Sequence, residues 1–345
     1  MSRLFQAKWA WGITLLALLV LVPSATAVSS HRSAGLTNVS VQLGWIPQTE
    51  FAGYYAAEAQ GLYKAAGLNV KIIPGGPELT ATSVVASGGA TFGAGLAPFD
   101  VLTADGQGLK LEQVAVGAEQ DELRLVSLKR LGITSPKDLE GKTVGAWVGT
   151  GEDEMKIIVQ NAGGDPNKVH WVSQGTSLSP IINGSWAAGM ATTYNELNLL
   201  KEQNVSVNVW SPVTYHTAFP GDGIAVSQAY AAKNPAVVTA FLKATMEGWR
   251  WAFLHKQQAV ADVMAHGTGL TAHHQLLMLA SMQSVTCTGL ALTHGMGYID
   301  PTVFAKASTF LTKYKAAKVP SSLGGTYTNS FINAVPAADK TCTGL

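Results

Sequence analysis

Short apolar runs at period two alternate with longer segments at helical spacing through most of this chain, and turn residues punctuate the switches. Val39 to Leu43 predicts a strand, about Glu50 to Ala66 a helix, and Leu68 to Ile73 a second strand closed by Pro74-Gly75-Gly76-Pro77. A short helix over Glu78 to Ser87, a strand over Thr91 to Leu96 and a helix over Pro98 to Gly106 follow. Leu111 to Ala118 reads as a strand, with Leu123 to Leu128 paired beside it. This alternation predicts an α/β fold on parallel, doubly wound sheets.

The pattern then restarts. Ser135-Pro136-Lys137-Asp138 marks a helix start, with Ser as N-cap and Pro in the first turn. Lys142 to Val148, Val169 to Val172 and Ala188 to Thr193 read as strands, with helices opening at Gly149-Thr150-Gly151, Ser177 and Asn195. Val205 to Trp210 and Gly223 to Val226 return toward the first unit, and Asn234-Pro235 opens a long helix to His255. The expected division is therefore a first lobe over 38–128 plus 222–345 and a second over 129–221, with crossings near 126–131 and 218–226. Pro220-Gly221-Asp222-Gly223 has the turn chemistry that a hinge or a plain turn uses.

At the front, Arg3 and Lys8, the apolar run Trp9 to Val22 and Ala25-Thr26-Ala27 form the three parts of a secretory leader over 1–27, with a 28–37 linker. An uncleaved anchor is the alternative reading. No lipoprotein cysteine follows the apolar run. An exported, periplasmic or extracellular product is expected. Only Cys287 and Cys342 are present; they either pair, as cysteines of exported chains most often do, or stay as two thiols.

Composition narrows the chemistry. Charged residues make up 13% and the formal net charge is +1, so no basic field points to nucleic acid. The eight histidines lack metal-ligand spacing, and His273 and His274 point about 100° apart on a helix. No Gly-x-Ser-x-Gly elbow appears. Gly149-Thr150-Gly151 precedes a helix, but Glu152, Asp153 and Glu154 fill its first turn and disfavour an anion there. No cofactor and no metal are expected.

Candidate ligand contacts cluster where strands end. Trp45, Gln48, Glu50, Phe51 and Tyr54 follow the first strand, Gly75 the second, and Phe99 the third. Trp147, Thr150, Tyr194, Asn195 and Glu196 follow strands of the second unit, and Tyr215 lies near the return crossing. Aromatic rings interleaved with single polar residues suit a flat, hydrogen-bonding ring, although spacing alone leaves Trp45 and Phe51 equally readable as core. Trp45 and Tyr194 are expected to approach that ring from opposite lobes, in a nearly uncharged cleft.

One run carries a resemblance. Trp45, Pro47, Gly53 and Tyr55, then Gly61, Tyr63 and Gly67-Leu68-Asn69-Val70, resemble the opening of periplasmic solute-binding proteins that deliver thiamine pyrimidine precursors or riboflavin to ABC importers. The likeness continues at Val85 to Gly93, Asp138 to Gly145 and Tyr327 to Phe331. It implies a two-lobed, type II periplasmic-binding-protein fold with mostly parallel sheets, a heterocyclic ligand, permease and ATPase partners, and a monomer. A eukaryotic pyrimidine synthase of the same family consumes a histidine at the position of Phe51 and carries a cysteine-rich motif absent here. This chain lacks that donor, so binding is expected and catalysis is not. An extracytoplasmic sensor would use the same cleft.

Overall fold

A computed structural model describes residues 35–345 apart from Val148, and leaves the Thr150 side chain undescribed. The expected leader and nearly all of the linker lie outside the described residues.

Strands β1 (Thr37–Leu43), β2 (Leu68–Ile73), β3 (Phe92–Leu96) and β4 (Leu111–Ala115) begin the chain. β5 (Leu123–Leu128), β6 (Thr143–Ala146), β7 (His170–Ser173), β8 (Gly189–Thr192) and β9 (Val207–Trp210) follow, and β10 (Gly223–Ser227) closes the series. In β1, Val39, Val41 and Leu43 are buried at period two, as a strand lying on a core requires. Gln42, also buried, donates from Nε2 to the carbonyls of Leu43, Ile73 and Pro74 at 3.1, 3.3 and 3.0 Å. It thereby binds together the ends of β1 and β2, where the first turn toward the cleft begins.

The large sheet runs β2-β1-β3-β10-β4, and a second sheet runs β8-β5-β9. The β6-β7 pair joins the second through a bridge from Val144 to Ala188. The α/β class holds, but the sheets are mixed rather than mostly parallel. β1 is parallel to β2 and β3, while β10 runs antiparallel to both β3 and β4. β5 is antiparallel to both of its neighbours, and β6 and β7 are parallel. β10 is reversed because it enters on a short return from the second sheet, which needs no helical crossover.

That return also displaces a neighbour. Leu123–Leu128, expected beside Leu111–Ala118, lies in the middle of the second sheet, because β10 occupies the place next to β4. The first crossing is therefore the 116–122 segment, ahead of the expected 126–131, and the return occupies 211–222. The two run side by side: the Gly117 and Ala118 N–H groups donate to Gly221 O at 3.1 and 2.9 Å, and Gly221 N–H donates to Ala118 O at 3.0 Å. A Cβ on Gly117 would lie 2.1 Å from Asp222 O, so only glycine lets the strands approach this closely.

Helices flank the sheets. The Ala52–Ala59 helix packs on the Pro235–Leu254 helix through small residues. A Cβ on Gly53 would stand 2.3 Å from the Trp249 ring, and one on Gly248 would stand 2.2 Å from Gly53 O. Trp249 is thus a core residue. Gly53→Ala is expected to cost about 1–3 kcal/mol by overpacking. A denaturant midpoint equal to that of the wild type would show that the two helices can separate freely. Nearby, the Phe241 ring stacks on Tyr63 and Phe92 at 5.6 and 3.9 Å.

Cys287 and Cys342 are disulfide-bonded, with Cα atoms 5.5 Å apart. Among the described residues no helix is long and apolar enough to cross a membrane.

Candidate functional site

A cavity of about 210 Å³ opens at the carboxyl ends of β1, β2 and β3 on one side and of β6 and β8 on the other. Crevices at strand carboxyl ends are where open α/β sheets hold ligands. From the large sheet come Trp45, Gln48 and Glu50 after β1, Gly76 and Pro77 after β2, and Asp100 after β3. Trp147, Tyr194, Asn195 and Glu196 face them, and the crossings supply Glu122 and Asp222. The Trp45 and Trp147 rings meet edge to face across the opening, with centroids 5.6 Å apart and planes at 67°. Trp45 therefore pairs with Trp147, whereas Tyr194 is buried in the core and bonds to Glu50.

Seven of the expected contacts line this cavity: Trp45, Gln48, Glu50, Trp147, Tyr194, Asn195 and Glu196. The others do not. Phe51 is 1% exposed and lies beneath Gly95, where a Cβ would stand 3.4 Å from its ring. Tyr54 packs edge to face on Trp249 in the same core. Phe99 sits among Phe219 and Phe310, with centroids at 4.3 and 5.3 Å. Tyr215 lines a separate surface hollow, and its carbonyl accepts from Asn161 Nδ2 at 2.8 Å. Gly75 is structural: its N–H donates to Trp45 O at 3.0 Å, and a Cβ there would lie 2.1 Å from Leu43 O. The Thr150 side chain lies outside the description, though its neighbour Gly151 lines the cavity.

The cleft is rich in ionisable groups, although burial shifts most of them toward the neutral form. Five carboxyl side chains line the cavity, and among its described lining residues there is no Lys, Arg or His. Burial pushes the carboxyls of Glu50 and Glu122 well up, with neighbouring Asp222 adding repulsion to each. Asp222 is pushed up to about 7, chiefly by burial, and shares a hydrogen bond with Glu50. Two carboxyls bonded to each other hold one proton between them. Glu196 is raised by burial, partly offset by Thr192, which donates from N–H and Oγ1 to Glu196 Oε2, both at 2.8 Å. Glu122 Oε2 and Asp222 Oδ2 are buried without a hydrogen-bond partner among the described residues. A buried, unpaired acceptor is costly, and a bound donor relieves it.

Behind the cavity, Asp121 joins the crossings. Its carboxylate accepts from Leu123 N at 2.9 Å and from Phe219 N at 3.0 Å, with Arg124 Nη1 at 3.8 Å. Glu154, raised by burial beside Asp121, donates to it.

Sequence reasoning missed Glu122, Asp222 and Asp100. Asp222 lay within a turn already singled out, and its φ of 52° is one that few residues besides Gly, Asn and Asp adopt. Glu122 ends an acidic run, Glu119-Gln120-Asp121-Glu122, that reads as solvated linker until β10 is placed beside β4.

Two named relatives align over most of the chain. A formylaminopyrimidine-binding protein of Halalkalibacterium halodurans is 28% identical over 250 residues, covering 71% of this chain and 75% of that protein. Riboflavin-binding protein RibY of Chloroflexus aurantiacus is 24% identical over 318 residues, 89% of each. Among solved structures, the periplasmic aliphatic sulphonate binding protein SsuA of Escherichia coli superposes with a TM-score of 0.63 at 15% identity, over 82% of this chain and 89% of that one. The fold is thus that of the periplasmic binding proteins. Residues 48–259 match the model of the NMT1/THI5 like family, and the chain belongs to that family.

Proposed function

We propose that this chain is the exported substrate-binding subunit of an ABC importer and captures a small planar heterocycle bearing amino or ring N–H donors, of the aminopyrimidine kind. The cavity carries this reading: two tryptophans meet edge to face beside a group of carboxyl side chains, with no cation among its described lining. Such a wall offers no cation to pair with a sulfonate or nitrate, and its unpaired acceptors suit donors. A volume of about 210 Å³ lies below the roughly 300–1,000 Å³ of drug-sized sites. That favours one ring over the three fused rings of riboflavin. The names of the two relatives point to the same pair of ligand classes. Chemistry on the ligand is not part of the proposal, because Phe51 occupies the donor-histidine position and is buried.

In this reading the protein works as a monomer. Its lobes divide at the paired crossings, close on the ligand by hinge motion about Gly117 and Gly221, and then present it to the permease and its ATPase. The A-x-A leader supports export.

Calorimetry with a formylaminopyrimidine, a hydroxymethylpyrimidine, riboflavin and taurine tests the ligand class. Micromolar or tighter binding of a pyrimidine is expected. Tight taurine binding with no heterocycle bound would overturn the reading. Trp45→Ala should weaken binding by about 1–3 kcal/mol, the scale for one stacked aromatic, with folding little changed because Trp45 is only half-buried. Unaltered affinity in that variant would remove Trp45 from the site.

A further inference from the structure

His274 is buried where the Ala272–Thr286 helix of the first lobe meets the Glu196–Glu202 helix of the second. Its Nδ1 lies 2.6 Å from Glu202 Oε2 and its Nε2 lies 2.9 Å from Asn195 Oδ1. The hydrogen-bond network fixes the orientation of the Asn195 amide. Asn195 Nδ2 donates to Glu196 Oε1 at 2.8 Å and to Gln48 Oε1 at 3.4 Å, so the atom facing His274 is the oxygen. Gln48 in turn donates from Nε2 to Glu50 Oε2 at 2.7 Å.

An amide oxygen accepts only, and so does a carboxylate. A neutral imidazole has one N–H and one lone pair, and would set that lone pair against one of these acceptors. We infer that His274 carries a proton on both ring nitrogens, clasps the two lobes, and acts as a positioning residue that sets the direction of the hydrogen bonds along one wall of the cleft. From this imidazolium every bond runs one way: His274 to Asn195, Asn195 to Gln48 and Glu196, Gln48 to Glu50. The amide donors of Gln48 and Asn195 are thereby used within the wall, and what faces the cavity is rich in acceptors. His274 thus contributes to selecting a donor-bearing ligand without touching it. The ionisable groups of this network are Glu202, His273 (Nε2 3.4 Å from Glu202 Oε1), Glu196 and Glu50.

The same residue secures the geometry. Gln275, next in sequence, accepts from Thr49 N at 2.8 Å through Oε1, and its carbonyl accepts from Thr49 Oγ1 at 3.0 Å. One helix turn thus holds the Thr49–Phe51 turn of the first lobe and, through His274, the Asn195 turn of the second.

The inference rests on the proposed ligand class only for its selectivity, so the test has two arms. Nitrogen-15 spectra of the unliganded protein, at the pH of the binding measurement, should show both His274 ring nitrogens protonated; one unprotonated nitrogen would overturn the inference. In the second arm, His274→Gln should bind a formylaminopyrimidine at least tenfold more weakly than wild type, with a wild-type circular dichroism spectrum and a cooperative unfolding transition confirming the fold. Wild-type affinity in that variant would overturn the positioning role. Should His274→Gln not fold, Glu202→Gln takes its place. It removes the charge and lets the side chain turn an amide N–H toward Nδ1, so it should lose the second ring proton and weaken binding; retention of both features would sink the inference. If wild type binds no pyrimidine at all, the ligand class fails while the spectra still decide the state of His274.

Discussion

Unfolding free energy is expected to fall as pH rises from about 4 to about 7, opposite to the trend of a protein held by paired carboxylates. The cause is the acid cluster at the crossings. Asp222, whose ordinary value is 3.8, is pushed up to about 7 by burial, and Glu50, Glu122 and Glu154 are raised in the same direction. A carboxyl raised in the folded state keeps its proton where the unfolded chain has already lost it. Over that window the native state binds more protons, so stability declines with pH until the folded groups ionise. At 1.36 kcal/mol per pH unit, the interval from 3.8 to about 7 makes the Asp222 contribution on the order of 4 kcal/mol, shared with Glu50 as one titrating pair. Glu119, also pushed up to about 7 by burial, adds a smaller, solvent-screened share of the same sign. Asp138 and Asp300, held low by backbone N–H groups, lose their contributions only as pH falls below the ordinary value of 3.8. Urea unfolding at a series of pH values checks this, with Asp222→Asn expected to flatten the curve. A midpoint that is level or rising between pH 4 and 7 would show that these carboxyls are not held protonated.

The same acids explain why the site was only partly legible. Residues that end a strand and begin a helix were readable, because the switch from period two to helical spacing marks the carboxyl edge of a sheet. Trp45, Gln48, Glu50, Trp147, Tyr194, Asn195 and Glu196 all lie at such switches and line one cavity. The signal fails one residue further on. Phe51 follows Glu50 in the same Thr49–Phe51 helical turn but lies beneath Gly95, and Tyr54 follows it into the core. No local pattern separates Glu50 from Phe51, since both are buried and only tertiary packing decides which side of the turn each faces.

Glu122 and Asp222 were illegible for a different reason. They are 100 residues apart in sequence and meet only because the two crossings pair at Ala118 and Gly221. Reading Leu123–Leu128 beside Leu111–Ala118 placed the first crossing too late and left Glu122 away from the cleft. A reversed strand is invisible to periodicity, because β10 is buried along its length much as β3 is, whichever way it runs. Net charge misled as well: a formal +1 over the chain conceals five carboxyls gathered in one cavity.

Reduction of the Cys287–Cys342 bond is expected to lower stability by about 4 kcal/mol, from the loop entropy of a 55-residue separation. The structure indicates where that loss falls. Cys342 lies in the C-terminal tail, which Arg250 Nη1 holds by donating to Thr341 O and Thr343 O at 2.8 and 3.0 Å. Lys340, its charge disfavoured by burial, donates to Ile332 O at 2.8 Å. Cys287 ends the Ala272–Thr286 helix, whose opposite end carries His274 and Gln275 at the cleft. The bond thus fixes the far end of the helix whose first turn holds the Thr49 and Asn195 turns, and it does so mainly by restricting the unfolded chain. Stability should therefore suffer more than binding, with the reduced protein unfolding at lower denaturant while its affinity for a bound pyrimidine changes less than tenfold. Thiol titration in denaturant should find no free thiol before reduction and two afterwards. Equal midpoints for the oxidised and reduced protein would mean that Arg250 and Lys340 hold the tail without the disulfide.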